Sequence, residues 1–318
     1  MPENAPRVSV VMPTYNGERY IRQAMASCLG QTYGNLELIV VDGGSQDSTL
    51  NIVAGYRDPR LVLVHQPGNS GRLPGAINLG LAQARGEYLT WTSDDNIYDP
   101  EAIAIMAGFL QAHSDVDWVY SGYRRIDEQG RILTQVPAEP PEECLPRGCN
   151  SPCFLFRRRV YEELGGQDLG LPLAADYEYW LRAWKSGLTM QPLEHSLYAY
   201  RVHANSLTVR EGFSRFLRDT ERAMARWIGP NPYRYPSRYA RLVAESHVAF
   251  AFESARVGNL GVVRPHLLRA LLYDPRWITN KGVLSLLFKS LAVIARKVKT
   301  ESGQQGNKSD DNLPAETA

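Results

Sequence analysis

Two stretches decide the fold: Val8-Ser9-Val10-Val11-Met12-Pro13-Thr14-Tyr15-Asn16 and Leu36-Glu37-Leu38-Ile39-Val40-Val41-Asp42-Gly43-Gly44-Ser45. Each is a short apolar run stopped by turn-forming residues, the pattern of a strand buried in a sheet. Between them, residues 18–29 carry Tyr20, Ile21, Ala24, Met25 and Cys28 at helical spacing. Beyond the second run, Asp47 stands where it caps a helix holding Leu50, Ile52 and Val53. Leu61–Val64 reads as a third strand, 74–84 as a third helix and Tyr88–Thr92 as a fourth strand. Asp99-Pro100 reads as an N-cap and first-turn proline for a helix over 101–112, and Trp118–Tyr120 starts a fifth strand. Strand–helix alternation with short connections predicts an α/β fold, a mostly parallel sheet with helices on both faces.

The alternation breaks after about residue 125. A proline-rich loop over 137–152 leads to a strand at Cys153–Phe156, helices near 158–164 and 176–186, and a strand at Tyr198–His203. From 213 onward the pattern is helical throughout. Phe213, Phe216, Leu217, Met224 and Trp227 form one stripe; Tyr239, Leu242, Val243, Phe250 and Val257 a second; Leu267, Leu268, Leu271 and Leu272 a third. Residues 237–272 look like one tetratricopeptide-type hairpin, but no second copy follows, which excludes a repeat array. The expected organisation is a catalytic domain over 1–208, a C-terminal all-helical extension over 209–300 and a polar, disordered tail over 301–318.

Composition narrows the function. Among 318 residues, 35 Lys and Arg balance 34 Asp and Glu, so a broad basic face for nucleic acid is excluded. Hydrophobic residues at 44% exclude wholesale disorder. No uninterrupted apolar run reaches the roughly 18 residues of a membrane-spanning helix. Met1-Pro2-Glu3-Asn4 lacks the basic and apolar regions of a signal peptide, so a cytoplasmic setting is expected. Cys28, Cys144, Cys149 and Cys153 match no paired zinc spacing and read as reduced buried or loop thiols.

In an open parallel sheet, ligands bind beyond the carboxyl ends of the strands. Those ends carry Pro13-Thr14-Tyr15-Asn16, Asp42-Gly43-Gly44-Ser45 and Ser93-Asp94-Asp95-Asn96, with Asp176 at a helix start in the second half. Neither GxGxxG nor GxxxxGK[ST] occurs among these loops, which argues against a dinucleotide fold or a P-loop. Adjacent carboxylates at a strand end suit a hard divalent ion that completes its shell with water and substrate phosphates. A literal D-x-D triplet, Asp115-Val116-Asp117, precedes a strand instead of following one and reads as a surface turn. Trp91 reads as core.

At this point the residues resemble glycosyltransferase family 2. The resemblance rests on Val10–Gly17, Gln31-Thr32-Tyr33, Glu37–Thr49, Ala84–Tyr88 leading into Ser93–Asn96, Gly165-Gly166 with Ala175–Arg182, and Tyr200-Arg201-Val202-His203, all in order over residues 7–205. It implies a GT-A (Rossmann-like) fold, a nucleotide-diphosphate sugar donor, Mg²⁺ or Mn²⁺, and inversion at the anomeric carbon. Carried over by residue, Pro13, Thr14, Tyr15 and Asp42 would line the nucleotide, with Tyr15 stacking on the base. Asp95 would bridge to the metal, helped by His203, and Asp94 would lie near ribose or donor sugar. Arg72 and Arg201 would contact the diphosphate, and Asp176 would be the general base. Three positions depart from the family pattern: Gly43 and Ser93 stand where acids are usual, and Ala175 where one is frequent. The first removes an expected carboxylate contact to the base, which counts against UDP and leaves GDP or dTDP open as donors; the second leaves metal binding to Asp95. A sugar-nucleotidyltransferase would need a basic glycine-rich loop after the first strand, which is absent. The remaining alternative, a non-catalytic nucleotide-sugar-binding or assembly protein on the same fold, does not account for the presence of both Asp95 and Asp176. Similar enzymes lead to an expectation of cell-envelope or exopolysaccharide synthesis with a saccharide or lipid-linked acceptor.

The last helical stretch adds a location. Leu284, Leu287, Leu291, Ile294 and Val298 recur at helical spacing beside Phe288 and Ala295, with Lys281, Lys289, Arg296, Lys297 and Lys299. That pattern predicts an amphipathic helix lying on an anionic membrane surface, which would make the protein peripheral at the inner face of the membrane.

Overall fold

The computed structural model describes residues 5–67, 73–147, 150–203, 206–207, 213–229, 237–256 and 263–290. The chain divides into two units, Met1–Pro230 and Asn231–Ala318.

In the first unit the strands are β1 (Val8–Thr14), β2 (Leu36–Asp42), β3 (Leu61–His65), β4 (Tyr88–Trp91), β5 (Ile97–Tyr98), β6 (Trp118–Ile126), β7 (Ile132–Val136), β8 (Phe154–Arg157) and β9 (Met190–Arg201). They form one sheet in the order β3-β2-β1-β4-β8-β6-β9-β5, with β7 paired to β6. The β3-β2-β1-β4 half is parallel, as predicted. The other half is mixed: β8 runs antiparallel to β4 and β6, whereas β9 runs parallel to β6.

Every residue of β1 and β2 is buried, as expected for parallel strands covered on both faces. Val8, Val10 and Met12 point into a cluster with Ile21, Met25 and Cys28 of α1 (Ile21–Leu29) and Ile103, Met106 and Leu110 of α4 (Ala102–Ala112). Between these helices lie α2 (Thr49–Ala54) and α3 (Leu73–Gln83). On the opposite face α3 lies so close to the sheet that a Cβ on Gly80 would stand 2.3 Å from Val11 Cγ1. After α5 (Pro141–Cys144) and α6 (Arg158–Leu164) comes α7 (Ala175–Lys185), which lays Tyr179 and Trp180 on an aromatic layer of Trp91, Trp118, Phe154 and Phe156. Trp91 is thus core, as its sequence context predicts. This layer holds α7 rigidly, and the first turn of α7 carries Asp176.

Helix α8 (Phe213–Trp227) belongs to this unit, although its helical pattern grouped it with the C-terminal extension. It packs on α7, where Trp227 Nε1 donates to the buried Glu178 at 2.8 Å. In the second unit α9 (Ser237–Arg256) and α10 (Val263–Tyr273) share a core of Ala244, Val248, Ala251, Val263, Leu267 and Ala270, joined by Val283 and Leu286 of the helical segment 281–290. Because α10 turns the Val263, Leu267 and Ala270 side inward, Leu268 and Leu272 of the predicted stripe are exposed. Cys28, Cys144 and Cys153 are buried free thiols, and burial pushes Cys28 and Cys153 up to about 12, which leaves them unreactive. Cys149, the expected tail over 301–318 and the predicted stripe beyond Ser290 lie outside the described residues.

Candidate active site

Strand order reverses between β1 and β4, and this switch point is where an α/β sheet opens a crevice for ligand. Register sets Thr14 beside Asp42 and Val11 beside Trp91, so the loops after β1, β2 and β4 emerge together. Across the switch point Thr14 Oγ1 donates to Asp94 Oδ2 at 2.5 Å. Gly17 makes room for that bond, since a Cβ there would stand 2.2 Å from Asp94 Oδ2. Burial and then the neighbouring Asp95 charge push the Asp94 carboxyl up to about 7, against the Thr14 hydrogen bond that lowers it.

Asp95 and His203, 108 residues apart in the sequence, meet here. His203 Nε2 lies 2.9 Å from Asp95 Oδ2, and the imidazole packs against Tyr20. Among the described residues, Asp95 Oδ1 and His203 Nδ1 are both buried without a hydrogen-bond partner. Among the described residues no cluster of three or more His, Cys, Asp or Glu side chains could hold a metal ion.

Arg201 lies beside this pair but faces the protein interior. Its Nε donates to Asp95 O, Nη1 to Asp127 O and Glu128 O, and Nη2 to Gln23 Oε1. Those bonds engage four of the five N–H groups of a guanidinium. The diphosphate contact implied for Arg201 is therefore replaced by a clamp: the side chain is 3% exposed and ties the Asp95 loop to the turn after β6. Arg72 lies outside the described residues.

The loops after β1 and β2 are stapled to each other. Asn16 adopts φ 53°, and its amide and side chain engage Ser45 Oγ and the Gln46 amide. Gly17 N donates to Thr49 Oγ1 at 2.8 Å. The buried Asp42 carboxylate accepts from the amides of Gly44 and Ser45, a local turn that shapes the loop. Asp47 accepts from the Thr49 amide but stands one residue before the N-cap of α2, which is Ser48, so it does not fill the capping position expected of it. Pro13 is buried at the end of β1, whereas the Tyr15 ring is 40% exposed at the loop surface.

Asp176 approaches from the second half. Ala174 is the N-cap of α7, so Asp176 sits within the first turn, where the helix dipole favours its ionised form. Burial nevertheless raises its pKa, against hydrogen bonds from the Tyr177 backbone and from Asn150 Nδ2 at 3.2 Å. Tyr200 lies within electrostatic reach of both acidic groups. Burial pushes its phenol up to about 12, and the charges of Asp95 and Asp176 add to that effect, as side chains around one crevice would. Helix α8 secures the turn before α7: Arg226 pairs with Asp168 at 2.6 Å, and Asp219 Oδ2 accepts from Leu173 N.

Two acidic residues take other roles than their sequence context suggests. Asp117 is buried instead of lying on a surface turn; it pairs with Arg159 at 2.7 Å and accepts from Thr189 N. Asp99 does not cap α4, whose N-cap is Glu101; both its oxygens bind Arg124. Asn150, Gln23 and Tyr20 join the site without a sequence signal, because each is defined by a partner far away in the chain.

Residues 9–165 match the family described as Glycosyl transferase family 2. An uncharacterized glycosyltransferase of Rickettsia felis is 34% identical over 193 residues, which cover 56% of this chain and 31% of the relative. Another, RP339 of Rickettsia prowazekii, is 31% identical over 219 residues, covering 64% and 66%. The chain thus spans about a third of the first relative's length and just under two thirds of the second's. The Escherichia coli UDP-Glc:alpha-D-GlcNAc-diphosphoundecaprenol beta-1,3-glucosyltransferase WfaP is 27% identical over 209 residues, covering 64% and 80%. Among solved structures, S. aureus TarS 1-349 aligns with a TM-score of 0.56 at 20% identity, covering 83% of this chain and 90% of that one. The mannosyltransferase PcManGT from Pyrobaculum calidifontis, in complex with GDP-Man and Mn²⁺, aligns with a TM-score of 0.57 at 20% identity, covering 94% and 88%. The fold is that of GT-A glycosyltransferases.

Proposed function

We propose that this chain, which belongs to glycosyltransferase family 2, transfers a sugar from a nucleotide-diphosphate sugar to a hydroxyl of a saccharide or lipid-linked acceptor, with inversion, in cell-envelope or exopolysaccharide synthesis. The observation that carries this reading is the convergence of Thr14, Asp94, Asp95 and His203 at the switch point, with Asp176 across the crevice. In this reading Tyr15 stacks on the base, Thr14 and Asp42 line the nucleoside, and Asp94 faces the ribose or donor sugar. Inversion requires the acceptor hydroxyl to attack from the face opposite the leaving diphosphate. Asp176 receives its proton, a contribution of roughly 10²- to 10⁴-fold.

A divalent ion fits the residues present. Asp95 Oδ1 is buried and has no hydrogen-bond partner among the described residues, and a carboxylate oxygen suits Mg²⁺ or Mn²⁺ that fills its remaining positions from water and phosphate. When bound, the ion neutralises charge on the departing diphosphate. The acceptor class is supported by the diphosphoundecaprenol in the name of the E. coli relative. A lipid-linked acceptor would make an anionic membrane surface useful, and the second unit exposes Phe288 beside Lys289 and Leu268 and Leu272 on α10. Among the described residues no helix is long and apolar enough to cross a membrane.

Thermal unfolding of the full chain with UDP, GDP, dTDP, UDP-glucose, UDP-GlcNAc and GDP-mannose, with and without Mn²⁺, tests the reading. A binding donor raises the melting temperature by mass action. A melting temperature that no nucleotide moves, with or without metal, overturns it.

A further inference from the structure

Asp176 has no ion-pair partner among the described residues, and its one side-chain hydrogen bond comes from Asn150, which belongs to a loop built to hold it. Tyr120 Oη donates to Glu139 O at 2.6 Å, and Tyr177 Oη donates to Leu145 O at 2.6 Å. Past Asn150, Ser151 Oγ donates to Ser121 O at 2.7 Å. The loop is thus tied to α7 at Leu145 and, immediately after Asn150, to β6 at Ser151. Tyr200 of β9 is a titratable side chain within electrostatic reach of Asp176, and Asp95 acts on Tyr200 as well.

We infer that Asn150 is a positioning residue for the base: its amide holds Asp176 Oδ2 and so orients the carboxylate that receives the acceptor proton. This rests on the reading of Asp176 as the base. The side-chain chemistry suits the task. An amide N–H favours the ionised carboxylate without adding a charge, whereas an Arg or Lys there would form an ion pair and weaken the base. Tyr177, adjacent to Asp176, pins the same loop, so base and positioning residue share one rigid support.

Carbon-13 NMR titration of aspartate carboxyls in the full-length protein tests this without a substrate. The resonance missing in Asp176→Asn identifies Asp176. Its midpoint should rise in Asn150→Ala and rise further in Asn150→Asp, which is the same size but turns the donor into a like charge. Release of nucleotide from UDP-glucose, UDP-GlcNAc and GDP-mannose with Mn²⁺ should fall about tenfold in Asn150→Ala, with donor affinity kept and the acid limb moved to higher pH. An unmoved Asp176 midpoint in both variants overturns the positioning role even if activity falls. Undiminished turnover in Asp176→Asn overturns the base assignment itself, and this inference with it.

Discussion

Replacing Gly17 with alanine tests how the switch point is assembled. Gly17 is not among the positive-φ residues, so its backbone accepts a side chain. The new Cβ would lie 2.2 Å from Asp94 Oδ2 and 2.8 Å from Thr14 Oγ1. Ordinary contact begins near 3.4 Å, so the carboxylate must retreat by about 1 Å or more, beyond the reach of a 2.5 Å hydrogen bond. A hydrogen bond to a charged group contributes about 1.5–3 kcal/mol. Alanine offsets about 0.4–1 kcal/mol of that by restricting the unfolded chain. A net loss of about 1–2 kcal/mol follows. Urea unfolding followed by tryptophan fluorescence reports it, since Trp91, Trp118, Trp180, Trp184 and Trp227 lie in the first unit and Trp277 alone in the second. Gly43→Ala is the control: its Cβ would meet nothing closer than 3.5 Å, so its stability should match or slightly exceed wild type. In a Thr14→Ala background the cost of Gly17→Ala should shrink, because the bond it breaks is already gone. Equal stability of the two alanine variants, or an undiminished cost without Thr14, refutes the steric account.

Asp95→Ala should abolish Mn²⁺-dependent nucleotide binding in calorimetry. Asp117→Ala should keep it but lower stability, because it strips Arg159 and Thr189 N of their acceptor; equal loss of binding in both would remove Asp95 from its role. Asp176→Asn should bind donor normally and lose transfer by at least ~10²-fold. Because burial raises the Asp176 pKa, its ionised form penalises the fold above that pKa, and the penalty disappears as pH falls toward about 4. The asparagine variant should therefore be more stable than wild type at neutral pH, with the gap closing on acidification; a pH-independent gap refutes this. Tyr15→Ala should weaken nucleotide binding by about 1–3 kcal/mol, the scale of base–aromatic stacking, and an unchanged Kd would leave Tyr15 an ordinary surface residue. Full-length protein should co-sediment with vesicles containing anionic lipid, and a chain ending at Ser290 should not. The cut must spare Val283 and Leu286, which are buried in the helical core; equal sedimentation of both chains would exclude the segment after Ser290 as anchor.

What was legible in the sequence was whatever local pattern determines. Val8–Met12 and Leu36–Val41 announced buried parallel strands, and their stop residues marked the site loops, because a strand buried on both faces reads as one apolar run. Strand β9 was legible only from Tyr198, since Pro192 and the irregular pairing around Glu194 and His195 erase any alternation in its first half. The short β5 and the exposed β7 bury too little to leave a pattern. Within the site, Asp95, His203 and Asp176 were readable as residue types at strand and helix ends. The inward turn of Arg201 was not, because its acceptors are backbone carbonyls at 95, 127 and 128 and the side chain of Gln23. Asp99 misled for the same reason, since its partner Arg124 lies on another strand.

The clamp formed by Arg201 changes the electrostatics of the crevice. Had its guanidinium faced the ligand, it would have supplied a fixed positive charge for a diphosphate. With that charge held against backbone carbonyls, the described titratable side chains at the carboxyl ends of the sheet include Asp42, Asp94, Asp95, His203 and His65, whose Nδ1 lies 3.9 Å from Asp42 Oδ2, with Asp176 in the second half. Four carboxyl groups against two imidazoles repel a multiply charged anion, and burial strengthens that repulsion by lowering the local dielectric. Raising the Asp94 carboxyl to about 7 relieves part of the repulsion by protonation. The remainder calls for a cation that arrives with the nucleotide, which is the physical case for the proposed divalent ion. On this argument, metal and nucleotide bind as a unit: either alone should bind weakly to the full chain, and together they should bind with an affinity far above the sum of the two. Strong binding of a nucleoside diphosphate in the presence of a chelator would show that the positive charge comes from the protein instead.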